Sequence, residues 1–424
     1  MMRPIAISLS PNTQVDDFFL AFRTFVNPLS FLGNLQTNKL ESSLARMLGK
    51  GFNVVALDAG RSAFFVILQA LGIGKEHTVC IQALTCVAVP NAIMWAGASV
   101  SYVDIDNSFN MDPNDLASKI TAKTKAVVIQ HTFGIPANVA AIAQVVKRAE
   151  EKFGKKIFII EDCAHALGAT IGIRKVGTFG DASFFSFGRD KVISSVFGGA
   201  VATRNPAIFT AIVKQASKLS LPSIFWQIRQ LLHPILFHLT VLPFYFLGVG
   251  KVTLGKLALF LLQKIGILSL PVSPEEKQGK RPQSLAKRMP NALAVLAIGQ
   301  LGKLEKFNSN RKHLAKFYQK NLVGTHFKFL QKVGSGTIWL RFPVLTDKPK
   351  KLLNYARKSH ILLGNWYDSP VTPAPSLATV GYRWGSCKKA ESVARRIINL
   401  PTYPELSQKD AQSVVDILKT WQNL

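Results

Sequence analysis

The chain has 424 residues, of which 52 are Lys or Arg and 24 are Asp or Glu, so its formal net charge is +28. This length can bury one large core and a smaller second one, and two domains are expected. The four cysteines have neither the spacing of metal ligands nor the density of a disulfide-rich secreted protein, which argues against both classes and favours a reducing compartment. Because no leader with a charged region, an apolar core and a cleavage site is evident, the sequence predicts a cytoplasmic protein.

The first candidate site lies near the N-terminus, where a glycine opens a helix. Residues 1–50 are predicted to be an arm and a helix, and an apolar run over 53–57 then predicts a strand. The helix that follows begins just after Gly60, and free N–H groups at such a helix start favour a bound anion. Gly60, Arg61 and Ser62 are therefore candidate phosphate ligands, although glycine before a helix is common and Arg61 can equally lie on the surface.

Strands alternate with helices over the next hundred residues. Short apolar runs near 79–81, 100–104 and 126–130 predict strands, and the segment over 137–152 predicts a helix. This alternation indicates an α/β fold with a mainly parallel sheet flanked by helices.

The stretch from residue 155 to 201 carries the chemistry. A β-branched run over 157–160 ends abruptly in Glu161 and Asp162, as a buried strand does when its carboxyl end opens into a crevice. A second run over 182–187 is followed by Lys191 and a pair of glycines. The sequence thus predicts an acid at one strand end and a lysine at another.

One chemistry needs this pair. Pyridoxal phosphate is held as a Schiff base on a lysine amine, and an acid keeps its ring nitrogen protonated so that the ring can act as an electron sink. Lys191 and Asp162 are the candidates for these two roles. Ser186, five residues before the lysine, is a candidate for the cofactor phosphate, and His165 for the phenolic oxygen of the cofactor.

The strings EDCAHALGA, GTFGDASFFSFGRDK and GGAVAT resemble the DegT/StrS family of nucleotide-sugar aminotransferases, which have the fold-type I architecture. The resemblance runs from about residue 40 to the C-terminus, apart from one long interruption. It implies a pyridoxal-phosphate-dependent aminotransferase that moves an amino group from an amino acid donor to a keto sugar, nucleotide-linked, in cell-surface glycan biosynthesis. It also implies a homodimer, and no metal.

The resemblance places further residues near the cofactor or the substrate. His131 and Phe133 lie in the loop that approaches the substrate in this family, although His131 can equally be a structural histidine, and Tyr382 can line a sugar pocket. Family members usually have an aromatic residue at the position of Cys86, stacked on the cofactor ring, and an asparagine at that of Ala286. These two departures leave open a non-catalytic scaffold that has kept the fold.

The interruption over 218–283 is strongly apolar and basic. Residues 191–274 include no Asp or Glu, and residues 230–250 include no charged residue, which is about the length that spans a bilayer. A single span is excluded because both flanks belong to one fold, and Pro234 and Pro243 interrupt a straight helix. We expect in-plane helices or a shallow hairpin on an anionic membrane surface at the inner face of the cytoplasmic membrane; a buried subdomain or an oligomer contact is the alternative.

Two further expectations concern partners and domains. No aromatic and basic interleaving supports nucleic acid as the partner of this basic chain. If the insert brings the active site to a bilayer, a lipid-linked or non-sugar ketone is an alternative substrate. The expected domains are an arm and helix (1–50), a large cofactor-binding domain (51–217 and 284–304), the insert (218–283) and a small C-terminal domain (305–424).

Overall fold

The computed structural model describes residues 4–249, 252–282, 285–331, 333–374 and 376–422. The strands are β1 (Ile5–Ala6), β2 (Asn53–Leu57), β3 (Thr78–Gln82), β4 (Thr85–Cys86), β5 (Ser99–Val103), β6 (Thr124–Gln130), β7 (Phe158–Asp162), β8 (Thr170–Ile171), β9 (Arg174–Lys175), β10 (Ala182–Ser186), β11 (Gly199–Thr203), β12 (Gly248–Val249), β13 (Val252–Thr253), β14 (Phe342–Leu345), β15 (Ile361–Leu362), β16 (Val371–Thr372) and β17 (Ile397–Leu400).

The helices are α1 (Val15–Val26), α2 (Leu35–Leu48), α3 (Gly60–Ala70), α4 (Ala88–Trp95), α5 (Pro113–Lys119), α6 (Val139–Phe153), α7 (Pro206–Ala216), α8 (Ile224–Leu236), α9 (Leu254–Lys264), α10 (Pro274–Lys277), α11 (Asn291–Leu301), α12 (Leu304–Asn321), α13 (Pro349–Lys358), α14 (Lys388–Ala394) and α15 (Gln408–Gln422).

A seven-stranded sheet in the order β2-β11-β10-β7-β6-β3-β5 forms the centre of the large domain. Every neighbouring pair is parallel except the two that involve β11, which runs antiparallel to β2 and to β10. Helices cover the sheet, and Phe64 of α3 stacks on Phe184 of β10 with ring centroids 4.8 Å apart. The mainly parallel α/β architecture predicted from the sequence is confirmed, and the sheet gathers the ends of β6, β7 and β10 at one edge.

The C-terminal part closes one side of that edge. Its strands β14 and β17 pair antiparallel, and α12 and α15 pack together beside them. The short strand β16 pairs in parallel with β4, so that Thr372 lies opposite Cys86. This pairing brings the segment just before β16 to the exit loops of the large sheet.

The insert folds into helices and a short hairpin. Helix α8 contains Pro234 and continues into a π-helical turn over Phe237–Val241, and β12 and β13 form the hairpin that leads to α9. Pro234 therefore does not end the helix. Helix α8 packs against α1. Among the described helices, none has both the length and the apolarity needed to cross a membrane.

Candidate active site

A cavity of about 190 Å³ opens where the ends of β6, β7 and β10 meet the start of α3. Six of the residues predicted from the sequence to hold a cofactor have been brought into one wall despite their separation in the chain. They are Gly60, Arg61, Cys86, Asp162, His165 and Ser186, and Lys191 lines the same cavity. The carboxyl edge of a parallel sheet is where α/β proteins bind ligands.

Asp162 is the last residue of β7, and its side chain is buried in the cavity wall. Burial raises the pKa of this carboxyl, and the N–H of Ala164, which donates to Oδ1 at 2.9 Å, and the nearby Lys191 act in the opposite direction. A nearby cation favours the ionised form of a buried carboxyl group, and a carboxylate can bind a protonated ring nitrogen.

Lys191 lies on the loop after β10. Burial lowers the pKa of its amine, and the proximity of Cys86 and Asp162 opposes that shift. Its Nζ lies 5.4 Å from the ring centroid of Trp366, which the C-terminal domain supplies. A lysine of lowered pKa has more of the neutral amine, the form that attacks a carbonyl carbon.

The backbone of the lysine loop is held from the N-terminal arm. The side-chain amide of Asn12 donates to the carbonyl oxygen of Lys191, and Arg311 donates to Val192 O at 2.8 Å and to Asn12 Oδ1 at 2.9 Å. Sequence reasoning missed Asn12 and Arg311. Each is far from residue 191 in the chain, and a lone polar residue in an arm or a helix gives no signal of such a contact.

His165 is neutral. Burial lowers the pKa of this imidazole well below its usual range, and Lys191 and Arg341 add to the effect. Its Nδ1 accepts a hydrogen bond from the N–H of Phe133 at 3.3 Å, so Nε2 carries the proton and faces the Tyr367 hydroxyl at 3.4 Å. The imidazole also stacks against Trp366, with centroids 6.0 Å apart. A fixed Nε2–H in the cavity wall can donate to the phenolic oxygen of a bound cofactor.

The start of α3 fits a phosphate. The N-cap residue Ala59 gives no side-chain hydrogen bond to the first turn, so the N–H groups there remain open to a ligand. Gly60 lies against β10, and a Cβ added to it would meet Ser186 Cβ at 2.7 Å. Ser62 does not line the cavity, and its buried hydroxyl has no hydrogen-bond partner among the described residues. The structure thus offers the backbone of this turn, rather than the Ser62 side chain, to an anion.

Arg61 is directed toward the insert. Its Nε lies 2.8 Å from Glu276 Oε1, and its Nη1 donates to Pro271 O at 2.9 Å. Glu276 is almost fully buried, so this contact ties the end of the insert to the start of α3. Sequence reasoning did not anticipate that Pro271 and Val272 of the insert would line the cavity.

The three predicted substrate residues, His131, Phe133 and Tyr382, do not line the cavity. His131 is fully buried, and its Nε2 lies 3.1 Å from Glu161 Oε2. Phe133 is buried behind His165, and Tyr382 donates its hydroxyl to Glu391 at 2.7 Å. All three are core or second-layer residues.

Glu161 also has a structural role. It lies within 4.8 Å of His131 and Cys163 through ligand atoms of the kind that bind metals. Its two oxygens, however, accept N–H groups of Gly177, Phe179 and Gly180 at 2.6–2.8 Å. The carboxylate therefore organises the loop between β9 and β10.

The residues present fit pyridoxal phosphate. The cavity is lined by a half-buried lysine, a buried acid, an open helix start beside a close-packed glycine, and a neutral imidazole with a fixed proton. Cys86 takes the place of an aromatic ring. Burial raises the pKa of its thiol, so that a neutral, polarizable sulfur faces the cavity.

Comparison with known proteins gives a consistent identification. The sequence model of the DegT/DnrJ/EryC1/StrS aminotransferase family matches residues 28–224 and 260–419. The chain is 27% identical to GDP-perosamine synthase of Escherichia coli O157:H7 over 82% of its own length and 80% of that protein. It is 23% identical to a UDP-N-acetyl-3-dehydro-alpha-D-glucosamine 3-aminotransferase of Acidithiobacillus ferrooxidans, over 95% and 93% of the two chains.

Solved structures share the fold. Helicobacter pylori PseC, an aminotransferase of pseudoaminic acid biosynthesis, has a TM-score of 0.72 and 19% identity, with 97% of each chain covered. A sugar aminotransferase of Streptococcus pneumoniae, solved in a PMP-form and a PLP-form, gives TM-scores of 0.75 and 0.74 at 20% identity, with 100% of this chain and 97% or 98% of the other covered. The chain is a pyridoxal-phosphate-dependent aminotransferase and belongs to the DegT/DnrJ/EryC1/StrS aminotransferase family.

Proposed function

We propose that this chain transfers an amino group from an amino acid to a nucleotide-linked keto sugar, and that Lys191 and Asp162 are the residues on which the reaction depends. The observation that carries the assignment is that both side chains line one cavity, where the charge of each shifts the pKa of the other. The relatives named for amino transfer to GDP-linked and UDP-linked sugars support the class of substrate.

Bound pyridoxal phosphate supplies an electron sink for the carbon that gains or loses the amino group. Asp162 would hold a proton on the ring nitrogen, which needs an anionic partner in a buried site. Lys191 would hold the cofactor and, once its amine is free, move the proton at the substrate carbon. Burial lowers the pKa of that amine and so favours its neutral form, which accepts a proton.

The remaining residues would position the cofactor. The N–H groups at the start of α3 and the Ser186 hydroxyl would hold the phosphate, and His165 Nε2–H would donate to the phenolic oxygen. Cys86 would pack on the ring, and the stacked Trp366 would exclude water from the lysine side.

The visible spectrum of the purified protein tests this proposal. We expect a yellow protein whose absorbance is lost in Lys191→Ala, because that variant cannot hold the cofactor covalently. Lys214→Ala, which removes an exposed lysine from α7, is the matched control and should stay yellow. A wild-type protein that remains colourless with added cofactor would show that the chain is a scaffold instead.

We infer that the chain forms a homodimer through α1 and the turn that follows it. This surface exposes a row of large apolar side chains, and Asp16, which pairs with Lys303, is exposed at the start of the helix. The exposed residues are Phe19, Phe22, Val26, Leu29, Leu32 and Leu35. Light scattering on the purified chain should give twice the 46.6 kDa of one copy, and a monomer at micromolar concentration would refute the inference.

We also propose that the insert binds an anionic membrane surface through α9 and the hairpin before it. Helix α9 buries only Gly255 and exposes an apolar face, and Lys256 and Lys264 lie on the same helix. No Asp or Glu occurs between residues 191 and 274. An exposed apolar face flanked by lysines is the composition of a helix that lies in the plane of a bilayer. The exposed residues are Val252, Leu254, Leu257, Phe260, Leu261 and Ile265.

A further inference from the structure

A second cavity, of about 320 Å³, lies between the insert and the large domain. It shares Arg61 and Phe197 with the cavity that holds the predicted cofactor residues, so the two are neighbours. Trp226, Arg229 and Ser269 of the insert form much of its remaining wall. The insert therefore builds a compartment next to the reaction site.

Arg229 is the unexplained group in this compartment. Its Nε is buried without a hydrogen-bond partner, and no ion pair of this guanidinium occurs in the described part of the chain. Its charged neighbour is Arg189, another cation, whose own Nε also lacks a partner. A buried N–H group without an acceptor is costly unless a ligand supplies one.

The two acids in the wall do not neutralise Arg229. Glu276 lies 2.8 Å from Arg61, and Asp58 accepts the N–H of Lys287 at 3.1 Å. The Ser269 hydroxyl accepts a hydrogen bond from Arg189 at 2.6 Å and donates one to Gln230 at 2.7 Å. Arg229 thus lines the cavity with a positive charge that no acid among the described residues pairs with.

Phe197 and Arg61 line both cavities, so these two side chains lie where the cavities adjoin. The ring of Phe197 lies between Arg61 and Arg189, with its centroid 5.8 Å and 5.5 Å from the two guanidinium carbons. A substrate whose ketone lies near Lys191 can therefore extend past Phe197 into the second compartment. The group it places there would be an anion with several acceptor oxygens, since guanidinium groups bind phosphate in a bidentate manner.

We propose that this second cavity binds a phosphate of the substrate, with Arg229 as its main ligand. The proposal rests on the proposed amino transfer to a phosphate-linked sugar and assigns the insert a part in recognising it. The phosphate can come from a nucleoside diphosphate or from a prenyl diphosphate carrier, and the two share the chemistry that Arg229 recognises.

Calorimetric titration of the cofactor-loaded protein with inorganic pyrophosphate tests the site, because bound pyridoxal phosphate already occupies the start of α3. We expect binding by the wild type and a Kd raised about tenfold or more in Arg229→Gln, the loss typical of one charge-assisted hydrogen bond. Lys264→Gln, which removes an exposed charge from α9, should bind like the wild type.

The outcomes separate this site from the proposed reaction. Pyrophosphate that does not bind yellow wild-type protein, or that binds Arg229→Gln equally well, would overturn the site and leave the amino transfer standing. If Arg229→Gln does not fold, Arg229→Lys replaces it in the test. Its Kd for pyrophosphate should lie between the Kd of the wild type alone and the Kd of the wild type measured with saturating sulfate, which competes for the site. Tighter binding of uridine diphosphate than of farnesyl diphosphate would identify a nucleotide, and the reverse order a lipid carrier.

Discussion

Asp162 is buried in the cavity wall, and burial raises the pKa of its carboxyl. Its proposed role is to hold a proton on the ring nitrogen of the cofactor. Replacement by asparagine keeps the shape but removes the charge that would hold a ring proton. We expect Asp162→Asn to bind the cofactor and to lose about 10²–10⁴-fold in kcat, the range found for proton-transfer groups. Steady-state kinetics with an amino donor and a keto sugar would measure this loss.

The control for Asp162 is an exposed acid. Asp347 is 84% exposed and pairs only with Arg396, so Asp347→Asn should keep wild-type kcat. If both variants were equally active, Asp162 would have no part in the reaction. The absorbance of the bound cofactor separates loss of chemistry from loss of binding.

Asp58 gives a prediction about pH. Burial raises the pKa of this carboxyl from 3.8 to about 6, so the folded state binds its proton more tightly than the unfolded state does. Stability therefore falls as the pH rises from about 4 to about 6, and the ionised Asp58 costs about 3 kcal/mol above that range. In Asp58→Asn this part of the pH dependence should be absent.

Urea unfolding at pH 4 and pH 7 measures the Asp58 effect. The fall in unfolding free energy between these pH values should be about 3 kcal/mol smaller in Asp58→Asn than in the wild type. Equal falls in the two proteins would show that Asp58 ionises normally in the folded state. Asn keeps an oxygen that can accept the N–H of Lys287, so the substitution changes charge more than packing.

The residue spacing allowed us to predict that Asp162 and Lys191 line one cavity. It did not show that His131 lies outside that cavity. Asp162 and Lys191 follow strand ends, where position in the chain determines position at the sheet edge. His131 follows a strand end too, yet it pairs with Glu161, the residue before Asp162. Successive side chains on a strand point to opposite faces, so one acid faces the cavity and its neighbour does not. The sequence alone does not show which of the two acids faces the cavity.

At the scale of elements, the contact between α3 and β10 forms the proposed phosphate site. A Cβ on Gly60 would meet Ser186 Cβ at 2.7 Å and Phe185 O at 3.2 Å, so Gly60→Ala must move the helix start or the strand. We expect its Kd for pyridoxal phosphate to rise about tenfold or more. Titration of the apoprotein, followed by absorbance, measures this constant.

Gly302→Ala is the matched control for Gly60→Ala. A Cβ there would have its nearest neighbour at 3.6 Å, an ordinary contact, and the position is far from the cavity wall. Unchanged cofactor affinity in Gly60→Ala would mean that the start of α3 does not contact the phosphate.

The regular elements of the large domain were predictable, and those of the insert were not. β-branched runs such as β6 and the amphipathic α6 have the periods of buried strands and surface helices. The antiparallel β11 was not anticipated, because apolar residues alone do not give the direction of a strand. In the insert, the π-helical turn after α8 packs against Ala6 of β1 and Phe18 of α1, and no local sequence pattern indicates these contacts.

At the scale of the whole molecule, the net charge of +28 and the insert belong to one argument. A strongly basic surface raises the local concentration of anionic partners. The insert combines lysines with an exposed apolar face on α9, whereas α1 combines its apolar face with acids. The proposed membrane contact and the proposed subunit contact therefore lie on different surfaces.

Membrane binding should depend on the exposed face of α9. A variant with Leu257, Phe260 and Ile265 changed to serine loses apolar contact with lipid, and about 1.5–3 kcal/mol of transfer free energy is lost for each side chain that is fully inserted. We expect it to stay in the supernatant when wild type sediments with vesicles rich in phosphatidylserine. Neither protein should sediment with neutral vesicles at moderate salt, because the lysines then lack their anionic partner.

Deleting the insert is a poorer test of the same surface. Leu231 and Ile235 of α8 are buried among residues of α1 and α11, so deletion of residues 220–271 would expose apolar core as well as remove α9. We expect that deletion to lower the melting temperature and to cause aggregation, whereas the serine variant keeps both melting temperature and cofactor colour. If wild type already fails to sediment with anionic vesicles, α9 has another partner, and the charge on the insert serves the substrate phosphate alone.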